Sequence, residues 1–322
     1  MLVSILIPCF NAERWIAQAI ESAVAQTWPE KEIIVVDDGS TDGSPDVIRR
    51  YKDRVRWEIG PNRGGNPTRN RLLELARGEW LQYLDADDYL LPGKIAAQMD
   101  FLAIRPQSDV VYSPMLLDFI SSQGSNPVPN PNSINTKDMW IGLVRWHTPQ
   151  TGGYLFRRQA LVDAGGWNAA QPCCQDNEMC LRLLMCGKQF TFCPKTGAVY
   201  RVGSNESVSS CNQALVREHR LEIIKRAEGF LRHCGQLTER RLWAINQARF
   251  EQARVAWGVE PAVAYTIVQT IRRSQRGFIP REPVSATYRA LYCLLGFRIT
   301  ETIASWRRGF SQLFRSARQD TL

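Results

Sequence analysis

Three carboxylates stand within four residues at Asp85-Ala86-Asp87-Asp88, directly after the apolar run Trp80-Leu81-Gln82-Tyr83-Leu84. Like charges at that spacing repel one another, so folding gains little from grouping them. A divalent cation with oxygen ligands is the simplest group that would relieve the repulsion. A second acidic pair, Asp37-Asp38, follows another apolar run, Ile33-Ile34-Val35-Val36. Open parallel sheets bind their ligands at the carboxyl ends of the strands. Two apolar runs that both end in acids therefore read as two strands delivering carboxylates to one edge of an α/β enzyme.

Those strands need neighbours. Residues 3–8 are β-branched and aliphatic and end at Pro8, which predicts a buried strand. Asn11 can cap a following helix, in which Ile16, Ile20, Ala23 and Val24 recur at helical spacing. A strand over 32–36, a turn at Asp38-Gly39-Ser40-Thr41-Asp42-Gly43 and a short helix from Ser44-Pro45 to Tyr51 come next. A strand over 55–59, a Gly-rich loop over 60–65 and a helix over 68–77 stopped by Gly78 follow. The strand at 80–84, a helix over 94–104 and a strand over 109–112 complete the alternation. It predicts a mostly parallel sheet with helices on both faces. Residues 121–135, dominated by Ser, Asn, Pro and Gly, read as one long loop suited to a lid or an acceptor. Strand-like 153–156 and helices near 159–164 and 176–186 restore order. Beyond about residue 211 the pattern is helical, with a break over 277–283, so two regions are expected, residues 1–211 and 212–322.

With 44% hydrophobic and 22% charged residues, the 322-residue chain has the balance of a soluble globular protein. No apolar run approaches the ~20 residues needed to span a bilayer. The first residues lack a basic n-region and read as a strand rather than a signal peptide. Of the nine cysteines, Cys173, Cys174, Cys180, Cys186 and Cys193 cluster, but without paired C-x-x-C spacing and away from His147, His219 and His233. Reduced thiols of a cytosolic protein fit better than a zinc site. The net charge of +8 is uneven. From Gln213 onward there are 19 Lys+Arg against 9 Asp+Glu, whereas the first 212 residues hold 21 against 23. That asymmetry points to two modules with different partners.

Five blocks in order carry a resemblance. Val3-Ser4-Ile5-Leu6-Ile7-Pro8-Cys9-Phe10-Asn11, Val35-Val36-Asp37-Asp38-Gly39-Ser40-Thr41-Asp42 and Leu84-Asp85-Ala86-Asp87-Asp88 closely resemble family-2 glycosyltransferases of the GT-A fold. Asn62-Arg63-Gly64-Gly65 with Thr68-Arg69-Asn70, and Gly165-Gly166-Trp167 with Gln175-Asp176-Asn177-Glu178, agree with it. The resemblance covers roughly residues 1–210. It implies a Rossmann-like GT-A domain, followed here by a helical C-terminal region. It also implies an inverting, metal-dependent transferase that moves a sugar from a UDP- or dTDP-sugar to a glycan or lipid-linked hydroxyl.

By the same resemblance Asp87 ligates Mg²⁺ or Mn²⁺, Asp85 reaches the ribose or a metal-bound water, and Asp88 supports them. Asp38 would accept from the nucleobase, while Pro8 and Phe10 wall the base. Phe10 could stack on a pyrimidine or pack between strand and helix. Asp37 could serve only to cap its turn. Arg69, with Asn62 as a weaker companion, suits diphosphate or ribose contact, or could pair with a site acid. Asp176 matches the family's general base and Glu178 is the fallback. The residue before Asp176 is Gln175, where the family usually has Glu, and Asp176 could instead merely cap its helix. Arg201, in a segment with Tyr200 and Ser207-Val208-Ser209, is a candidate phosphate contact. Arg182 resembles a structural helix arginine. Gly152-Gly153 would let backbone approach the donor sugar.

Within the basic region, Leu291, Leu295, Ile299, Ile303, Trp306, Phe310 and Leu313 recur at three- and four-residue spacing. Arg289, Arg298, Arg307, Arg308, Arg315 and Arg318 surround them. Such a stripe either packs on neighbouring helices or lies on an anionic membrane surface, which would place a cytoplasmic protein on the inner face of the membrane. No nucleic-acid motif accompanies the charge. The rival readings are a catalytically inactive nucleotide- or glycan-binding scaffold, supported by Gln175, a sugar-phosphate nucleotidylyltransferase and an aspartyl phosphotransferase. The loop after the first strand lacks the glycines the second needs, and Asp88-Tyr89 lacks the pattern of the third.

Overall fold

The computed structural model describes residues 1–119, 125–132, 134–203, 212–281 and 284–319, with side chains as far as residue 306. The chain divides into two compact units, Met1–His219 and Arg220–Leu322.

The first unit is built on a seven-stranded sheet. Its strands are β1 (Val3–Cys9), β2 (Lys31–Asp37), β3 (Arg56–Ile59), β4 (Trp80–Tyr83), β6 (Val110–Tyr112), β9 (Tyr154–Arg157) and β10 (Phe190–Phe192). They run in the order β10-β6-β9-β4-β1-β2-β3. β1 is parallel to β2 and β4, and β2 to β3, as the alternation predicts, and β6 is parallel to β10, a strand outside that alternation. β9 is the exception, antiparallel to both β4 and β6. Ile5, Leu6 and Ile7 of β1 are all buried, so both faces of this strand are covered, which is why it reads as a continuous apolar run. In register, Cys9 at the end of β1 faces Asp37 at the end of β2, and the acid turn follows β4 at the same edge.

A second sheet escapes sequence reading. β5 (Tyr89–Leu90), β7 (Met115–Phe119), β8 (Val128–Pro129) and β11 (Ala198–Val202) pair in the order β5-β11-β7-β8. Val128 and Pro129 therefore form a strand against Leu117 and Leu116, not part of one irregular loop over 121–135. A two-residue strand carries no period to detect. Residues 121–124 and 133 of that stretch, and the Ser207-Val208-Ser209 segment, lie outside the described residues.

Among the described residues seven helices flank the sheets: α1 (Ile16–Val24), α2 (Ser44–Arg49), α3 (Gly65–Leu75), α4 (Lys94–Ile104), α5 (Met139–Val144), α6 (Arg158–Asp163) and α7 (Gln175–Met185). Asn11 does not cap α1, whose cap position is Trp15. Instead its Oδ1 accepts the Thr41 N–H at 2.8 Å and its own N–H donates to Ser40 Oγ at 2.8 Å. Asn11 thus ties the loop after β1 to the turn after β2, using the left-handed conformation (φ 47°) that Asn tolerates.

The second unit is helical: α8 (Gln213–His233, which begins in the first unit), α9 (Glu239–Trp257), α10 (Pro261–Ser274) and α11 (Ala286–Gln319), broken at Gly296 (φ 74°). Phe250 is its centre, with Phe278, Tyr288, Tyr292 and Phe297 around it at 5.6–6.1 Å between ring centroids. Buried Glu301 takes Arg254 Nε at 3.1 Å and the Tyr288 hydroxyl at 2.5 Å. After the break, Phe297, Thr300 and Glu301 turn inward. Ile299, Ile303 and Trp306 face outward, Trp306 with 72% of its surface exposed. Of the described residues of the apolar stripe, Leu291 is half-buried, whereas Leu295, Ile299, Ile303 and Trp306 are exposed. Phe310, Leu313 and the arginines from 307 onward lie outside the described side chains. Among the described residues no helix is long and apolar enough to cross a membrane. The eight described cysteines are free thiols, and Cys211 lies outside the described residues.

Candidate functional site

The ends of β1 and β2 form one wall. Asp37 caps its own turn, taking the Ser40 N–H at 2.9 Å and the Ser40 hydroxyl at 2.6 Å. Asp38 does something different. One of its oxygens accepts the Arg63 N–H and the other the Gly64 N–H, each at 2.8 Å, so it draws the loop over 60–64 onto the turn. A Cβ on Gly39 (φ 76°) would sit 2.7 Å from the Asn62 nitrogen, which explains the glycine there. Asn62 itself is exposed, Pro8 is half-buried, and the Phe10 ring is 48% exposed. Phe10 is free to stack on a flat ligand and is not packed between strand and helix.

The acid turn is braced from behind. The Asp88 N–H donates to the Asp85 carbonyl at 3.0 Å. One oxygen of buried Asp88 accepts the Arg201 N–H at 2.9 Å and the other has no partner. The Arg201 guanidinium donates to the Asp87 carbonyl at 2.6 Å and to Gln18 Oε1. It lies over the rings of Trp15 and Tyr89 at 4.6 and 4.8 Å. The structure thus gives Arg201, expected at the phosphates, the task of holding this turn. Its place in β11 beside β5 is what brings it there, and that pairing is not legible in sequence.

Electrostatics set Asp87 and Asp88 apart from ordinary surface acids. Burial, then the charge of Asp85, pushes Asp87 above the usual carboxylate range. Burial, then Asp87 and Asp85, pushes Asp88 well above it. An unpartnered buried oxygen and acids that hold protons too tightly are what a missing positive charge leaves behind. Among the described residues, however, no three His, Cys, Asp or Glu side chains converge into a protein cage. The residues present fit a cation held by one or two carboxylates and completed by a ligand's phosphates, the habit of Mg²⁺.

Arg69 is the hub of the other half. Its Nη2 meets Asp85 Oδ1 at 2.7 Å, its Nη1 meets Asn66 Oδ1 at 3.3 Å, and its guanidinium lies 5.1 Å from the Trp167 ring. Of the two readings, pairing with a site acid is the one this structure displays. Asn70 fastens the Gly165-Gly166-Trp167 turn, accepting the Trp167 N–H at 2.7 Å and donating to its carbonyl at 2.8 Å.

Asp176 lies in the first turn of α7, after Cys174 in a left-handed conformation (φ 56°). It does not cap the helix: its Oδ1 accepts the Thr151 hydroxyl at 2.6 Å. Burial, then the charge of Asp85, raises its pKa to about 6, against the opposing pull of Arg69 and Thr151. Burial disfavours the charge on Arg69, but Asp85 and Asp176 more than compensate and hold its pKa above the usual value. Asp85, Arg69 and Asp176 are therefore one electrostatic group, although 91 residues separate the two acids.

Glu178 is not part of it. It is buried and taken by Arg182 Nε at 2.9 Å, and Arg182 continues to the Ala164 carbonyl. The fallback base is a structural ion pair, since two residues along a helix turn the side chain to the opposite side. Thr151 was missed by sequence reading, because a lone Thr before Gly152-Gly153 carries no motif.

Residues 4–162 match the model of glycosyl transferase family 2. An uncharacterized glycosyltransferase of Nostoc sp. is 33% identical over 171 residues, which are 50% of this chain and 52% of that protein. The Escherichia coli UDP-Glc:alpha-D-GlcNAc-diphosphoundecaprenol beta-1,3-glucosyltransferase WfaP is 40% identical over 103 residues, 31% of this chain and 42% of that protein. The chain thus spans about half or less of the length of these curated relatives. Among solved structures, S. aureus TarS 1-349 in complex with UDP-GlcNAc aligns with a TM-score of 0.67 at 19% identity, covering 96% of this chain and 92% of that one. The mannosyltransferase PcManGT from Pyrobaculum calidifontis, in complex with GDP-Man and Mn²⁺, aligns with a TM-score of 0.54 at 18% identity, covering 94% and 86%. At such identities the likeness shows the fold, a GT-A-type mixed α/β sheet with a helical region after it.

Proposed function

Because residues 4–162 match glycosyl transferase family 2, we propose that the chain transfers a sugar, with inversion, from a nucleotide diphosphate donor to a hydroxyl of a glycan or lipid-linked saccharide. The observation that carries the reading is the grouping of Asp176 with Arg69 and Asp85. A carboxylate with a pKa of about 6 is matched to taking a proton from a hydroxyl near neutral pH. Its partner Thr151 holds the carboxylate in place through Oδ1. In the donor half, Pro8, Phe10 and the Asp38-anchored loop form the base wall, and Asn62 sits on its exposed rim. Asp87 and Asp85 would hold Mg²⁺ or Mn²⁺, which supplies charge to stabilise the leaving diphosphate. Arg69 is placed to follow that charge, since it already bridges Asp85 and Asp176 electrostatically. Arg201 keeps the acid turn in place, and Glu178 keeps α7 in place.

The relatives' names support a nucleotide-sugar donor. WfaP is named for UDP-Glc and a diphosphoundecaprenol-linked acceptor, and the TarS and PcManGT structures hold UDP-GlcNAc and GDP-Man. We therefore favour UDP- or dTDP-sugars and an acceptor on a lipid carrier. The test is a thermal-shift screen of UDP-, dTDP- and GDP-sugars with MnCl₂, followed by transfer assays on the hits. Donor at ~100 times its Kd adds ~2.7 kcal/mol to stability. A chain that no nucleotide diphosphate stabilises, and that neither transfers nor hydrolyses any donor, ends this reading. Binding without turnover would favour the scaffold reading instead.

A lipid-linked acceptor asks for a surface that meets the membrane, and the second unit offers one. Leu294, Ile299, Ile303 and Trp306 are exposed on α11, and Arg272, Arg273 and Arg276 line a depression of about 480 Å³ on the same unit. Apolar residues beside arginines fit the interface of an anionic bilayer on the cytoplasmic side. Full-length protein should float with phosphatidylglycerol vesicles and not with phosphatidylcholine alone. The triple variant Ile299→Ser, Ile303→Ser, Trp306→Ser should stay at the bottom of the gradient. Equal flotation of the two proteins removes the membrane from the proposal.

A further inference from the structure

Three side chains outside the motifs converge on the backbone that follows Thr151. Gln82 of β4 donates its amide to the Gly152 carbonyl at 3.1 Å. Gln98 of α4 donates to the Gly153 carbonyl at 3.1 Å and to Ser113 Oγ at 2.8 Å. Lys94, one turn before Gln98, donates to the Tyr154 carbonyl at 3.0 Å. Three successive carbonyls are thus held by three side-chain donors, all essentially without solvent contact.

Such a cluster is expensive to build. A lysine with 1% of its surface exposed has given up nearly all its hydration for one carbonyl. The amide oxygens of both Gln82 and Gln98 are buried without partners. Space is also reserved: a Cβ on Gly197 would stand 2.1 Å from Lys94 Cγ. Apolar residues of similar size would fill these positions without leaving orphaned oxygens. What the donors gain is the position of one short segment, Thr151–Gly153, whose first residue grips Asp176.

The chain order adds the other half. β4 leads into the Asp85-Ala86-Asp87-Asp88 turn, and α4 follows shortly after it. The donors therefore come from β4, which leads into the acid turn, and from α4, the first helix after it, and their targets adjoin Thr151, the partner of Asp176.

We propose that Gln82, Lys94 and Gln98 form a brace that sets Thr151 and Asp176 against the acid turn, with Lys94 as a positioning residue for the transfer step. The proposal rests on the reading of Asp176 as the base, and its test separates the two. Lys94→Met keeps the stem and removes the donor. Hydrogen exchange of peptides covering 150–154 should become about 10-fold faster in this variant, with exchange in β1 and β2 unchanged. Unchanged exchange over 150–154 overturns the brace, whether or not the chain transfers sugar.

The kinetic arm asks whether the brace acts through Thr151. Lys94→Met should lower kcat by about 10–100-fold with donor KM within about twofold, since a small misplacement of a reacting group costs that much. Thr151→Val should do the same. The double variant should be no more than about threefold slower than the slower single, because both changes release one contact. Multiplying effects, or a kcat within twofold of wild type in Lys94→Met, overturn the role. Should Lys94→Met fail to fold, Gln98→Met carries the same measurements with the same outcomes. Exchange that responds in a wild-type chain without any transfer activity would leave the brace and remove the base.

Discussion

Replacing Asp176 by Asn lowers transfer turnover by about 10²–10⁴-fold, the range a positioned base contributes to a hydroxyl nucleophile. The substitution is close to isosteric, and the new side-chain oxygen can still accept the Thr151 hydroxyl at the site of the present 2.6 Å bond. Donor KM and cation dependence should hold, because Asp87 and the base wall are untouched. Steady-state kinetics with saturating acceptor read this directly, and a turnover within about threefold of wild type would remove Asp176 from the role. The pH profile gives a second reading. A base works only when deprotonated, and burial with Asp85 lifts this carboxyl from 3.8 to about 6. Wild-type kcat/KM for the acceptor should therefore rise with pH through about 6 and then level. The residual rate of Asp176→Asn should be flat across the same window.

The parts of this molecule that sequence displays are those where local pattern and global position coincide. β1, β2 and β4 are buried on both faces, so each is a continuous apolar run, and the acids of β2 and β4 follow at one edge. β9 could be recognised as a strand but not as antiparallel, since direction in a sheet depends on where the chain returns from. The small second sheet was hidden because β5 and β8 have two residues each. The phosphate contact expected of Arg201 rests on resemblance alone, and the bracing contacts of its side chain have no local signature. Only the β11–β5 pairing places that side chain behind Asp87.

The candidate site divides in the same way. Asp85, Asp87, Asp38 and Asp176 stand in motifs that are recognisable because their backbone surroundings are demanding. Thr151, Gln82, Lys94 and Gln98 are ordinary residues made special by burial, and contacts across 25 to 70 residues of separation cannot be read from spacing. Glu178 shows the converse error. Two acids near one another in sequence look equivalent, but a helix points them apart, one toward Thr151 and the other toward Arg182.

Asp87→Ala should reduce cation-dependent transfer by roughly 10³-fold, the equivalent of the several kcal/mol that a cation contributes at a leaving diphosphate. Its effect on stability should have the opposite sign. Burial and Asp85 raise the folded-state pKa of Asp87 above its unfolded value. The folded protein therefore binds this proton more tightly than the unfolded chain, which favours folding at low pH and is lost as pH rises through the folded pKa. At neutral pH the ionised Asp87 is a strain on the cation-free fold, and removing it should leave the melting temperature equal or higher. It should also ease Asp88, which is raised by the same neighbours and keeps one buried oxygen unpartnered. A site built for a cation is expected to look this way, with stability given up where the ligand will supply the missing charge. Thermal unfolding at pH 7 with EDTA, and again with Mn²⁺ and nucleotide, checks both halves. Wild type should gain from the additions, whereas Asp87→Ala should start no lower and gain nothing. A variant that starts lower and still responds to Mn²⁺ would show that Asp87 belongs to the fold and that the cation, if one binds, is held elsewhere.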